Sequence, residues 1–258
     1  MLKFSIANTK IKNLEKVQSL SKFLRNRRKV YSFDLLSGWS CPFAHNCASK
    51  VVIINNKRKI KDGKATKYRC FSASQEALYP AVYNLRSNNF VHLRSFNNSS
   101  SIRNMILSAL PKNAGIIRIH VGGDFFNRDY FVAWMQVAQS RPDVLFYAYT
   151  KSLKYWIDNK VQCDKLKNFV LTASFGGRLD YLIDPNGLRS SKVIYSVDEA
   201  NGLEIDHDDS HAADPSKRHE DFALLIHGSQ PVGSDAGKAV RKLKGVGSYG
   251  RGQLSVLS

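Results

Sequence analysis

Cys41 and Cys47, in Trp39-Ser-Cys-Pro-Phe-Ala-His-Asn-Cys-Ala48, and Cys70, after Lys67-Tyr-Arg69, are the residues whose type and spacing point most directly to chemistry. The chain has 258 residues and four cysteines, and three of those cysteines fall in one early stretch. That distribution suits a metal site better than a disulfide framework. Thiolates are soft ligands for iron-sulfur clusters and for zinc, and a set of three leaves one coordination position for another residue or a substrate. Cys163, in Val161-Gln-Cys-Asp-Lys165, would close a four-cysteine site and make a cluster structural or electron-transferring. With zinc, His45 would join Cys41, Cys47 and Cys70 in a tetrahedral set.

Other segments carry weaker signals. Glu204-Ile-Asp-His-Asp-Asp-Ser-His211 gathers carboxylates and imidazoles that could bind a divalent ion as nuclease sites do, but it fits no strict metal motif and reads as an acidic surface loop. Gly233-Ser-Asp-Ala-Gly-Lys-Ala239 is one residue short of a phosphate-binding loop and has Ala239 where a hydroxyl belongs. Ser234 reads instead as a helix N-cap. The absence of a Gly-x-Ser-x-Gly elbow removes the usual signature of a serine hydrolase.

The elements that must position these residues lie in a strongly basic chain, with a net charge of +18. Such a charge attracts polyanions, nucleic acid first and an anionic membrane surface second. No run of apolar residues is long enough to span a membrane, and the start is too short and polar for a signal peptide, so a reducing cytoplasm is expected. The charge falls in three blocks. Residues 10–29 place Leu14, Val17, Leu20 and Leu24 at helical spacing and predict one basic amphipathic helix. Residues 56–69 contain an Asp-Gly turn signal and predict a basic hairpin with strands at 51–54 and 66–70. The third block, 238–244, precedes the glycine-rich 245–252. Together they suggest a phosphate-backbone contact surface, with Tyr68, Phe71, Tyr79, Tyr83 and Tyr249 available for stacking.

The middle of the chain alternates strands and a helix. Runs at 115–121 and 144–149 flank a helical pattern at 129–140, and further strands are expected at 168–174, 192–197 and 222–227. The order predicts an α/β fold, a partial barrel or open parallel sheet with helices, supplemented by the N-terminal basic helix and a metal-binding hairpin region. Three units are expected: a basic helical segment at 1–30, a single α/β domain at 31–230 and a basic glycine-rich segment at 231–258. Parallel sheets put their active residues just beyond the carboxyl ends of the strands. Here those positions read His120-Val-Gly-Gly-Asp124, Thr150-Lys-Ser152, Ser174-Phe-Gly-Gly-Arg178, Asp198-Glu199 and His227-Gly-Ser-Gln230.

With these motifs in hand, the segment Ile117-Arg-Ile-His-Val-Gly-Gly-Asp-Phe-Phe126, the later Phe146-Tyr-Ala-Tyr-Thr-Lys-Ser152 and the upstream cysteine loop resemble the bacteriophage gene product 88 family over about residues 31–230. The resemblance implies a phage protein, acting in the cytoplasm of an infected bacterial host, and implies no particular reaction. A more distant similarity is to radical S-adenosylmethionine enzymes, which hold a 4Fe-4S cluster with three cysteines near the start of a partial barrel. Their next motif is a Gly-Gly-acidic turn that contacts the cofactor. That similarity implies Cys41, Cys47 and Cys70 as cluster ligands and Gly122, Gly123 and Asp124 as contacts for S-adenosylmethionine. The chain departs from that pattern in placing a basic hairpin between Cys47 and Cys70. Three readings stand: a radical enzyme, a non-catalytic iron-sulfur protein at nucleic acid, and a zinc-stabilised nucleic-acid-binding protein or nuclease using 204–211.

Overall fold

Short runs rich in β-branched and aromatic residues, apolar at nearly every position, form strands that are buried on both faces. In a computed structural model, which describes residues 1–243, such runs make the centre of the protein. The chain begins with β1 (Ser5–Ile6), α1 (Thr9–Lys12) and two 3-10 segments, Asn13–Lys16 and Gln18–Phe23, before β2 (Lys29–Phe33). A hairpin, β3 (Ser49–Ile54) and β4 (Lys57–Asp62), leads to α2 (Phe71–Leu78), α3 (Pro80–Arg94) and α4 (Ser99–Ala109). Next come β5 (Ala114–Ile119), α5 (Arg128–Ser140), β6 (Leu145–Thr150), α6 (Leu153–Ile157), α7 (Lys160–Lys165) and β7 (Phe169–Ser174). β8 (Ser190–Ile194), β9 (Glu204–Ile205), α8 (Ser210–Ala213), β10 (Phe222–Leu225) and α9 (Asp235–Lys242) follow.

Eight strands form one sheet in the order β1-β2-β5-β6-β7-β8-β10-β9. β1 runs antiparallel to β2, and the other pairs are parallel. The predicted strand-helix-strand unit is present, with Ile116 opposite Leu145 in parallel register. Each parallel step needs a long return connection, which helices supply except between β7 and β8, where two 3-10 turns, Asp180–Leu182 and Asp184–Asn186, make it. On one face, Ile117, Ile119, Phe146, Phe169 and Leu171 pack with Phe131, Trp134 and Val137 of α5. On the other, Ile116, Leu145, Tyr147, Val170 and Phe222 meet Ile11, Leu14, Leu20 and Phe23 from the N-terminal segment.

Three expectations change. Residues 10–29 do not make one basic helix. Val17 is extended (φ −81°, ψ 114°) between the two 3-10 segments. The buried pairs Ile11/Leu14 and Leu20/Phe23 explain the break, because positions three apart align on a 3-10 turn and each pair docks separately on the sheet. The expected boundary at residue 30 also runs through β2, and the segment before it belongs to the same core. The basic hairpin turns at Asn55-Asn56, both with positive φ (50° and 56°), instead of at Asp62-Gly63. Two consecutive left-handed residues make the tight turn that matches strand twist, and asparagine tolerates it. Ser49 consequently pairs with Asp62, and residues 66–70 form no strand. Ser234 does cap α9, accepting from the Gly237 amide at 3.0 Å. α9 then buries Ala236 and Ala239 against Ile194, Ala223 and Leu225. The glycine-rich 245–252 lies outside the described residues.

Candidate functional site

Carboxylates pin the ends of the first parallel strands to one another. Asp34, just after β2, accepts from the Val121 and Gly122 amides (2.6 and 3.2 Å) and from Ser32 Oγ (2.9 Å). Asp124 accepts from Thr150 Oγ1 (2.6 Å), the Lys151 amide (2.8 Å) and the Phe125 amide (2.7 Å). Burial pushes the Asp124 carboxyl up to about 6, against the pull of Thr150 and Lys151. Lys151 carries the tie to β7, donating from Nζ to the Ser174 carbonyl and hydroxyl and the Phe175 carbonyl (2.7, 2.8 and 2.7 Å).

The cysteine loop lies over these ends. Gly176, at φ +93°, accepts from the His45 and Asn46 amides through its carbonyl (3.2 and 2.9 Å). Ser40 Oγ donates to the Leu36 carbonyl (2.8 Å) and closes the turn that carries Cys41. Glu76, fully buried, accepts from the Ser37 amide (3.0 Å), Ser37 Oγ (2.8 Å) and Arg86 Nη1 (3.0 Å). Cys70 is the N-cap residue of α2, the helix that bears Glu76, so this link holds the Cys70 helix against the Cys41 loop. The Cys70 amide donates to Ser49 Oγ (3.2 Å), and the hairpin thereby returns Cys70 to the strand that follows Cys47.

Cys41, Cys47 and Cys70 line one cavity of about 550 Å³. Burial pushes the Cys41 thiol well up, and Asp124, Cys70 and Cys47 push it further. Burial and then Cys47 push the Cys70 thiol up to about 11. Burial is the larger cause of both shifts, and the mutual push of the cysteines places three sulfurs within electrostatic reach of one another. Among the described residues, however, no group of three or more His, Cys, Asp or Glu side chains is arranged to hold a metal ion. His45, the fourth member of the expected zinc set, is exposed and pairs its Nδ1 with Asn46 Oδ1 (3.0 Å).

Cys163 is not brought to this cavity. It sits on α7, just before the amino end of β7, whereas the cavity lies at the carboxyl ends. There it is buried, with Sγ 3.9 Å from Met135 Sδ, as the small apolar residue that an isolated cysteine usually is. The glycine pair divides in role. Gly123 (φ +97°) and Asp124 line the cavity, and a Cβ at Gly123 would stand 2.6 Å from Ser40 Oγ. Gly122 instead makes room for Arg86, whose Cζ would be 2.8 Å from a Cβ.

Of the other cavity residues, His120, Thr150, Lys151, Ser174 and His227 are strand-end positions expected from the sequence, whereas Arg118, Tyr149 and Lys10 were not anticipated. Arg118 and Tyr149 come from β5 and β6, Lys10 from α1 and His227 from the end of β10. The segment 204–211, expected to be an acidic surface loop, puts Asp206, Asp209 and His211 in the interior. Asp209 pairs with Arg118 Nη1 and accepts from Tyr147 Oη (3.0 Å), with Lys10 Nζ at 3.6 Å. Burial opposes the Asp209 charge, but Arg118 and Lys10 outweigh it and hold the carboxyl below its usual range. Burial and the Arg118 charge push the His120 imidazole down to about 3. His120 also has φ +68°, a strained conformation for a non-glycine residue, and donor-acceptor contact with Tyr130 Oη at 2.9 Å. Its position after a β-branched run in a glycine-rich turn was the one sequence signal available here.

Among the described residues no helix is long and apolar enough to cross a membrane. The chain is 28% identical over 124 residues to the Gene 88 protein of Mycobacterium phage L5, a match that covers 44% of each chain. The matched stretch is therefore less than half of that relative's length. No solved structure matches. The pattern of the Gene product 88 family matches residues 2–242, which takes in the sheet, the cysteine loop and the cavity, and the chain belongs to that family.

Proposed function

We propose that this protein holds a 4Fe-4S cluster on Cys41, Cys47 and Cys70 and presents it to a ligand in the adjoining cavity. The observation that carries the reading is that three thiols from two separated segments line one cavity beyond the strand ends. The residues fit the group. All three thiols sense one another, yet no single-ion set is formed among the described residues, and a cluster, which spans its thiolates, asks less close convergence of them than one zinc ion would.

The eight-stranded, mostly parallel sheet would then correspond to the partial barrel of the radical S-adenosylmethionine enzymes, with Gly123 and Asp124 beside that cofactor. A bound cluster supplies one-electron chemistry to what lies next to it. The chain's own contribution is to orient: Gly123 permits the close approach of the Ser40 turn that carries Cys41, and the Asp34 and Asp124 ties fix the rim. Anaerobic purification followed by iron, sulfide and zinc analysis with an absorption spectrum tests the reading. About four irons and four sulfides with broad absorbance near ~400 nm are expected; zinc alone, without that absorbance, would overturn it.

Nucleic-acid contact is favoured by a different observation. At the opposite end of the sheet a groove of about 610 Å³ is lined by Lys22, Arg25, Arg28, Lys165 and Lys167. Its one carboxylate, Asp143, is bound by Arg28 and Arg141 at 2.7 and 2.9 Å. Binding of a mixed-sequence oligonucleotide should weaken steeply with salt, and a flat salt dependence would exclude this role.

A further inference from the structure

The cavity continues away from the cysteines to a floor of different chemistry. Arg118, on β5 two positions before His120, reaches it from that strand, Tyr149 from β6 and Lys10 from the N-terminal segment. Among the described residues Arg118 hydrogen-bonds through Nη1 alone, to Asp209, and its Nε has no partner. The Tyr149 hydroxyl has none either. Among the described residues Lys10 Nζ forms its ion pair with the Asp209 carboxylate, at 3.6 Å, and its side chain is one-third exposed. Buried donors are ordinarily satisfied, so a group of unused N–H and O–H donors on one wall marks a missing acceptor.

The charge balance gives the acceptor its sign. The cavity wall contains four lysine and arginine side chains, Lys10, Arg69, Arg118 and Lys151, of which Arg69 is paired with Asp62 at 2.7 Å, and two aspartates, Asp124 and Asp209, with Asp206 within electrostatic reach of Lys10. Both aspartates already receive hydrogen bonds, from Thr150 and Lys151 in one case and from Tyr147 in the other. Burial first, then Lys10 and Arg118, push the His227 imidazole on the same wall down to about 4, with Asp209 opposing them.

We propose that Lys10, Arg118 and Tyr149 form a subsite for the anionic group, a phosphate or a carboxylate, of a small-molecule substrate whose other end lies toward the cysteines. Arg118 would offer a planar pair of donors, which suits either oxyanion. The subsite deepens the proposed function by naming a substrate class, and it contains no cysteine, so it stands or falls separately from the cluster.

Isothermal titration of the full-length protein with inorganic phosphate and with succinate, at constant ionic strength, tests the subsite. The wild type should bind one equivalent, and Tyr149→Phe and Lys10→Gln should each weaken binding by about tenfold. Neither change leaves a buried charge unpaired, since Arg118 still faces Asp209. Lys57→Gln with Lys59→Gln, on the exposed hairpin, should leave the titration unchanged. A preference for phosphate or for succinate names the group and supports the subsite either way. Equal binding by wild type, Tyr149→Phe and Lys10→Gln, or loss of binding in the hairpin variant, would overturn it. Loss of iron with the titration intact would sink the cluster and leave this subsite standing.

Discussion

The same strands present two unlike faces. Toward the helices, β5, β6 and β7 offer Ile117, Ile119, Phe146, Phe169 and Leu171, which interlock with Phe131 and Trp134. Toward the cavity they offer Arg118, His120 and Tyr149, with Lys151 and Asp124 at their ends. The helix-covered face is apolar along its length, whereas the other, apolar where the N-terminal segment packs on it, gives way toward the strand ends to strain at His120 and orphaned donors at Arg118 and Tyr149. The difference teaches where to look for function in a sheet buried on both sides: toward the face where polar groups are left unfinished.

The largest break in this comparison should come from the cysteines. Cys41→Ser, Cys47→Ser and Cys70→Ser together should abolish iron binding, while Cys163→Ser, on the helix-covered side, should keep the full complement by metal analysis. Full iron in the triple variant would remove the distinction between the faces. Because the Cys41 and Cys70 thiols are pushed up and must lose protons to bind metal, loading should release protons and strengthen as pH rises.

Next in size is the apolar face itself. Trp134→Ala should cost about 3–5 kcal/mol in denaturant unfolding, since the ring is fully buried among Phe33, Tyr130 and Phe146. A loss below 1 kcal/mol, roughly the level of a surface change, would show that this face does not carry the stability assigned to it.

The cavity face should announce itself through pH. His120 titrates at about 3 when folded, below its ordinary 6.5, and His227 at about 4. Below pH 6.5 the unfolded chain takes up protons that the folded chain refuses, so stability falls as pH drops from 6.5 toward 3. Asp124, raised to about 6 from 3.8, works in the opposite sense and partly offsets the histidines between those values. His120→Asn, which tolerates the positive φ, should flatten the acid limb by about 1.4 kcal/mol per pH unit. An unchanged limb would move His120 out of the buried neutral set.

The smallest effect is expected at Tyr149. Its hydroxyl has no partner among the described residues, so Tyr149→Phe should change stability by less than about 0.5 kcal/mol. A cost well above 1 kcal/mol in the ligand-free protein would mean that the hydroxyl is already bonded and unavailable to a substrate.

Much of this was legible in residue order. The runs around 115–119, 145–149 and 169–174 are apolar at nearly every position, and a strand buried on both faces needs no long-range information to be recognised. β2 was less visible, because Lys29-Val-Tyr-Ser-Phe33 abuts a run of basic residues whose leucines repeat at helical spacing. The convergence of Cys70 on Cys41 and Cys47 could be foreseen from a hairpin that returns on itself, although its turn was assigned to the glycine when two asparagines make it. Cys163, Lys10 and Arg118 were beyond such reading. Each is a single residue whose surroundings are set by segments far away in the chain, and nothing in its neighbours distinguishes a ligand from a packed or solvated side chain.

The N-terminal segment gives the protein a particular dependence on its own completion. Ile11 and Leu14 pack against Ala212, Ala213 and Phe222, and Ser19 Oγ donates to Asp214 Oδ2 at 2.6 Å across 195 positions of sequence. During synthesis the opening residues therefore have no finished surface to rest on until the last parallel strand has emerged. The cysteine loop is made early and its chamber late, so a nascent chain exposes its thiols before it has a floor beneath them. The chamber is complete only once residues 212–222 have joined the N-terminal segment.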